Sequence, residues 1–126
     1  MIATAAKADA CDAAALKGAV TSMLRLNRVA AEVAQGLGVR GATDITGFGL
    51  LGHAAEVVEA SGAGITIRAP QLPLLDGALA LAQRGHWSGG MKRNQRHVES
   101  TLGVNGRLTI DPSLPSAMVG LLYESE

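Results

Sequence analysis

Between Ala42 and His53 the chain reads A-T-D-I-T-G-F-G-L-L-G-H, and no other stretch restricts the fold as much. Gly47, Gly49 and Gly52 punctuate a turn in which the backbone is free to take positive φ and to come close to a ligand. An amphipathic pattern begins at Phe48, so the turn opens a helix whose first N–H groups lack internal partners and favour anions. A lone carboxylate, Asp44, stands just ahead of the glycines. It suits the hard, oxygen-seeking cation that accompanies nucleotide phosphates. Thr43 and Thr46 flank it, and their hydroxyls can bind phosphate, orient Asp44 or satisfy the turn's own backbone.

By spacing alone, Gly47, Gly49 and Gly52 also match G-x-G-x-x-G, the dinucleotide fingerprint, and a β-branched segment from Gly64 to Arg68 follows at the distance a βαβ unit needs. Two features argue against that reading. Val39 to Ile45 is interrupted by Arg40, Gly41 and Asp44, where a buried parallel strand requires a continuous apolar run. No acidic residue ends the second strand to hold a ribose, and Arg68 stands there instead.

Periodicity sets the coarse architecture. From Asp12 to Gln35, apolar residues recur at helical steps (Leu16, Val20, Met23, Leu24, Leu26, Val29, Val33), which predicts one long helix capped by Asp12 and ended by Gly36 or Gly38. A short strand or extended turn over Val39 to Ile45 leads to a second helix from Phe48 to Ala60, with Phe48, Leu51, Ala55 and Val58 in one stripe and Ser61-Gly62 closing it. Ile65 and Ile67 alternate with Thr66 and Arg68, the pattern of a half-buried strand that Pro70 ends. A third helix is expected over Leu74 to Arg84, a Gly-rich basic loop over Gly85 to Glu99, a short strand over Gly106 to Asp111, and a last helix over Ser113 to Glu124 with Pro115 in its first turn. The fold class expected is α+β, with layered helices packed on a small mixed sheet.

Composition narrows the function classes. The chain has 126 residues, 48% of them apolar, enough for one modest core. It holds one Trp, one Tyr and one Phe, so the core must rest on aliphatic residues and base stacking has almost no platform. A formal net charge of zero gives no electrostatic footprint for nucleic acid or an anionic membrane. No apolar run long enough to span a bilayer occurs, and the stretch from Ala8 to Cys11, broken by Asp9 and with no basic-then-apolar stretch before it, is not expected to act as a secretion leader. The single Cys11 cannot form an internal disulfide, which fits a reducing, cytoplasmic setting, and it reads as a small hydrophobe.

As a whole string, Ala42 to His53 resembles the central signature of selenophosphate synthetase (selenide, water dikinase), in the superfamily of aminoimidazole ribonucleotide synthetase. The resemblance is colinear along nearly the entire chain. Ile2 to Ala8 is similar to that family's lead into its C-terminal domain, Met23 to Ala31 to its long helix with a Leu-Asn pair, and Gly89-Gly90-Met91-Lys92-Arg93-Asn94 to its Gly-Gly-x-x-Arg-Asn loop. The family's nucleophilic Cys or selenocysteine, with its neighbouring Lys and its nucleotide site, belongs to an N-terminal half expected ahead of Met1, and a D-P-Q-T-S-G-G motif is expected after Glu126. Residues 1–126 therefore read as part of a C-terminal domain, without the ATP-binding catalytic domain.

The resemblance implies an enzyme that makes selenophosphate, AMP and phosphate from ATP, selenide and water, as a cytoplasmic homodimer using Mg²⁺. It assigns Asp44 as one metal ligand of a cage completed elsewhere, and Thr43, Thr46, Lys92, Arg93 and Asn94 as phosphate contacts. No catalytic residue falls in this stretch, so the chain alone is expected to be inactive. Cys11 is excluded as the nucleophile by position, and His53 receives no role. Sister Mg-ATP enzymes of the superfamily, such as aminoimidazole ribonucleotide synthetase, thiamine-monophosphate kinase or the hydrogenase-maturation type, and a non-catalytic interaction module are the alternatives.

Overall fold

The computed structural model describes residues 1–103 and 107–124. Among them run seven α-helices: α1 (Ile2–Lys7), α2 (Ala13–Met23), α3 (Arg28–Gly36), α4 (Gly49–Ser61), α5 (Ala78–Gln83), α6 (Met91–Val98) and α7 (Ser116–Leu122). A 3₁₀ turn, Ala69–Gln71, separates α4 from α5, and α6 widens into a π turn over Glu99–Gly103.

No strand and no sheet occur among the described residues, so the expectation of helices layered on a small mixed sheet is overturned. The Gly64 to Ala69 segment keeps its alternation only in part. Ile67 packs on the core, but Ile65 is exposed, and no second segment pairs with its backbone. A strand exists only when a neighbour takes up its N–H and C=O groups. The stretch 107–111 faces residues 65–71 across a cleft of about 680 Å³ without laddering to them. Of the strand expected there, Gly106 lies outside the described residues. Val39 to Ile45 is likewise irregular and exposed.

The long helix expected from Asp12 to Gln35 breaks into α2 and α3 at Leu24 to Asn27. Asp12 does cap it, accepting from the Ala15 N–H at 2.7 Å. Burial explains the break. α2 buries Ala15 and Ala19, whereas α3 buries nothing, and Leu26, Val29 and Val33 stay exposed. With no packed face there is little to carry the helix past Leu24 and through Asn27, a poor helix former. The third predicted helix shortens to α5 because Gly77, at φ 81°, turns the chain just before it. Gly62, at φ 64°, ends α4 as expected, with its N–H bonded to the Val58 carbonyl.

The core has two parts. One gathers Met1, Ile2 and Ala5 of the N-terminal segment with Ala19, Ala78, Leu81, Ala82 and Ala117, a set of small side chains that lets α1, α2, α5 and α7 approach closely. The other packs Leu51 and Ala55 of α4 against Met91 and Val98 of α6, with Leu102, Leu122 and Tyr123. Trp87 touches both. Its ring lies where a side chain on Gly120 would go, 2.5 Å from an added Cβ, so the glycine is what lets α7 pass over the indole. The carboxylate of Glu124 is buried between the parts, accepting from the Ser88 N–H at 3.2 Å and lying 3.8 Å from the Met1 amino group.

Candidate functional site

The glycine turn ahead of α4 is held from three directions. Its own closure is the Gly49 N–H bonded to the Thr46 carbonyl at 3.0 Å. Gly49 sits at φ 72°, and a Cβ there would fall 2.7 Å from the Glu124 carbonyl oxygen, so only glycine fits where the turn meets the end of α7. Asn94 of α6 donates from Nδ2 to the Gly47 carbonyl at 2.9 Å and to the Tyr123 carbonyl at 3.0 Å. Thr46 Oγ1 lies 3.0 Å from His53 Nε2, one helical turn into α4. His53 is buried and its Nδ1 lies 2.9 Å from Glu56 Oε2.

Each residue that the sequence singled out can now be placed. Asp44 is exposed, and no described residue bonds its carboxylate. Thr43 donates to the Asp44 carbonyl at 3.1 Å, a local bond that stiffens the chain beside the carboxylate. The segment expected to be a basic loop is largely helical, which corrects its assignment: Met91, Asn94 and Val98 recur at helical spacing on the buried face of α6, and Lys92 and Arg93 stand exposed. Asn94 brings that helix to the glycine turn across 47 residues of sequence. Its amide hydrogens are both engaged by carbonyls, so it acts here as a brace.

His53, with no role expected, and Glu56 were missed. A Glu three residues after a His on one helix was the available signal. Phe48 leans on this pair, its ring 5.7 Å from that of His53 and 6.4 Å from that of His97 on α6. Among the described residues no group of three or more His, Cys, Asp or Glu side chains could hold a metal. The donor set is thus one exposed carboxylate with a hydroxyl nearby in sequence, which fits a Mg²⁺ ion that takes most of its oxygens from phosphates and other carboxylates. Cys11 lies apart, packed on the first core and bonded to the Asp12 carbonyl.

The family model of the AIR synthase related protein, C-terminal domain, matches residues 3–90, which contain the whole glycine turn. The chain belongs to that family. Several of its relatives carry the name of one enzyme, selenide, water dikinase. The chain is 42% identical over 104 residues to the selenide, water dikinase of Caldanaerobacter subterraneus subsp. tengcongensis, covering 82% of this chain and 30% of that protein. It is 46% identical over 86 residues to that of Porphyromonas gingivalis, covering 68% and 25%. It is 33% identical over 130 residues to that of Clostridium botulinum, covering 98% and 38%. This AIR synthase related chain therefore spans about a third of the length of the relatives it matches. No solved structure matches it.

No helix among the described residues is long and apolar enough to cross a membrane.

Proposed function

We propose that this chain serves as C-terminal-domain sequence of a selenide, water dikinase, an enzyme that converts ATP, selenide and water to selenophosphate, AMP and phosphate. The observation that carries the reading is the colinear identity to several proteins of that name, one alignment running over 98% of this chain. In the complete polypeptide Asp44 supplies one carboxylate to Mg²⁺, and Lys92 and Arg93 on α6 reach phosphate oxygens. Bound there, Mg²⁺ would neutralise triphosphate charge as it departs from the ground state.

This chain's own residues position. The Thr43 bond and the Asn94 brace hold the backbone on either side of Asp44, and the ammonium of Lys92 and the guanidinium of Arg93, at adjacent exposed positions of α6, offer charge-assisted donors to an anion. The nucleophilic centre and nucleotide site belong to sequence outside this chain. The complete enzyme works in the cytoplasm as a homodimer.

The test is phosphorus NMR on the complete polypeptide, incubated anaerobically with ATP, Mg²⁺ and selenide. Selenophosphate with AMP and phosphate is expected, and its loss in Asp44→Asn would support the ligand role. The matching family model is named for AIR synthase, a sister enzyme of the selenide, water dikinases. ADP without selenophosphate would move the chain to a sister enzyme of that kind.

A further inference from the structure

The one Trp and the one Tyr of the chain line the same cavity. It holds about 870 Å³ between the end of α5, α6, α7 and the turn that leads into α7, within the range of about 300–1,000 Å³ that suits a small molecule. Trp87, Met91, Ile110 and Leu114 make much of its wall apolar. Trp87 is set against α7 because Gly120 has no side chain, an added Cβ standing 2.5 Å from the indole. An indole offers a flat apolar surface and is the strongest cation–π partner among side chains.

Charge decides which small molecule the cavity suits. Among its described lining residues Asp111 is the one carboxylate, and no Lys, Arg or His borders it. Asp111 Oδ1 accepts from the Ser113 N–H at 2.8 Å, which fixes the carboxylate at the turn. Ser113, through its N–H and then its hydroxyl, holds that carboxyl below the usual range, so it is ionised at neutral pH. An unopposed negative charge beside apolar walls repels anions and attracts cations. The neighbouring cleft shares Ile110, Asp111 and Leu114 but is bordered by Arg68 and Arg107, and so lacks this bias.

We propose that this cavity binds a small organic cation, an ammonium carried on an aromatic body, with the ammonium at Asp111 and the body against Trp87 and Met91. Asp44, Lys92 and Arg93 do not line it, so the site stands apart from the phosphate chemistry of the glycine turn and does not depend on that reading.

The test titrates the complete polypeptide, with ¹⁵N only in tryptophan, at neutral pH and constant ionic strength. The Trp87 indole signal is identified by its loss in Trp87→Phe. Benzylamine, benzyl alcohol and benzoate are the probes, one ring carrying in turn a positive, a neutral and a negative group. Benzylamine should shift the Trp87 signal to saturation and bind about two- to fivefold more tightly than benzyl alcohol, the range of an ion pair open to solvent. Benzoate should bind more weakly than either. Asp111→Asn keeps an oxygen for the Ser113 N–H and loses only the charge. It should bring benzylamine to the affinity of the alcohol and leave the alcohol's own affinity unchanged.

No saturable shift with benzylamine would overturn the proposal, and would mean that the remainder of the polypeptide fills the cavity or that its walls hold no ligand. Benzoate binding as tightly as benzylamine would overturn it as well. So would a preference for the amine that survives in Asp111→Asn, because the charge that selects it would then lie elsewhere. Asp111 is exposed, so its amide variant tests the charge without disturbing the core.

Discussion

Gly49 is where a single methyl group has the largest foreseeable effect. An alanine there must adopt φ 72° and place its Cβ 2.7 Å from a backbone oxygen that belongs to the tightly packed end of α7. The left-handed conformation alone costs about 1–2 kcal/mol for an L-residue, and backbone cannot step aside as a flexible side chain can. Gly49→Ala should therefore lower stability by more than about 2 kcal/mol, read as a drop in urea midpoint of the complete polypeptide. Tyr123 presents the opposite case. Its ring is fully buried and its hydroxyl has no hydrogen-bond partner among the described residues, so Tyr123→Phe removes an unsatisfied polar group and should leave stability unchanged or raise it by about 1 kcal/mol. Burial, with the nearby Glu99 charge, also raises the phenol's pKa above its ordinary 10.0. A group whose folded pKa is raised contributes its full share of stability below the unfolded pKa and loses it as pH climbs through the folded one. Melting temperature should thus fall above about pH 10, and fall less steeply in Tyr123→Phe.

At the scale of elements, α6 rests on one polar residue. Asn94→Ala leaves the Gly47 and Tyr123 carbonyls without their donor, a loss expected at about 1–3 kcal/mol, and it should also increase hydrogen exchange at Gly47 to Gly49, which a purely local packing defect would not. The same residue shows why α6 was not legible. Met91 and Val98 are seven apart, and the buried position between them is an asparagine, so the apolar stripe that announces a helix is broken by the residue that anchors it. Where a local rule sufficed, reading was reliable: the Asp12 cap, the Gly62 stop and α4 itself depend on neighbours in sequence. The strands failed for the reverse reason. Alternation at Ile65 to Arg68 states which faces a segment has, but a sheet requires a partner backbone that no local pattern specifies. Asp44 and Asn94 were both legible as motif residues. That they belong to segments joined by a hydrogen bond, and that His53 completes the turn, depended on contacts remote in sequence.

For the whole molecule the decisive feature is an imbalance between its two core clusters and the α2–α3 arm. Met23, Leu24, Leu26, Val29, Val33 and Leu37 are each more than half exposed, and α3 has no buried residue. Scattered apolar residues on a surface need no explanation, but a run of them along one arm is the kind of patch that drives association. The net charge of zero offers no long-range repulsion to oppose it. This chain by itself should accordingly self-associate, giving an apparent mass by light scattering that rises with concentration. Replacing Leu26, Val29 and Val33 together by Glu, Lys and Glu should return it toward the monomer mass of 12.8 kDa. Because those side chains are already largely exposed, the substitutions forfeit little burial within the chain, and the far-ultraviolet helical signal should be kept. A mass independent of concentration in the unsubstituted chain would mean that the arm is shielded by its own chain in solution.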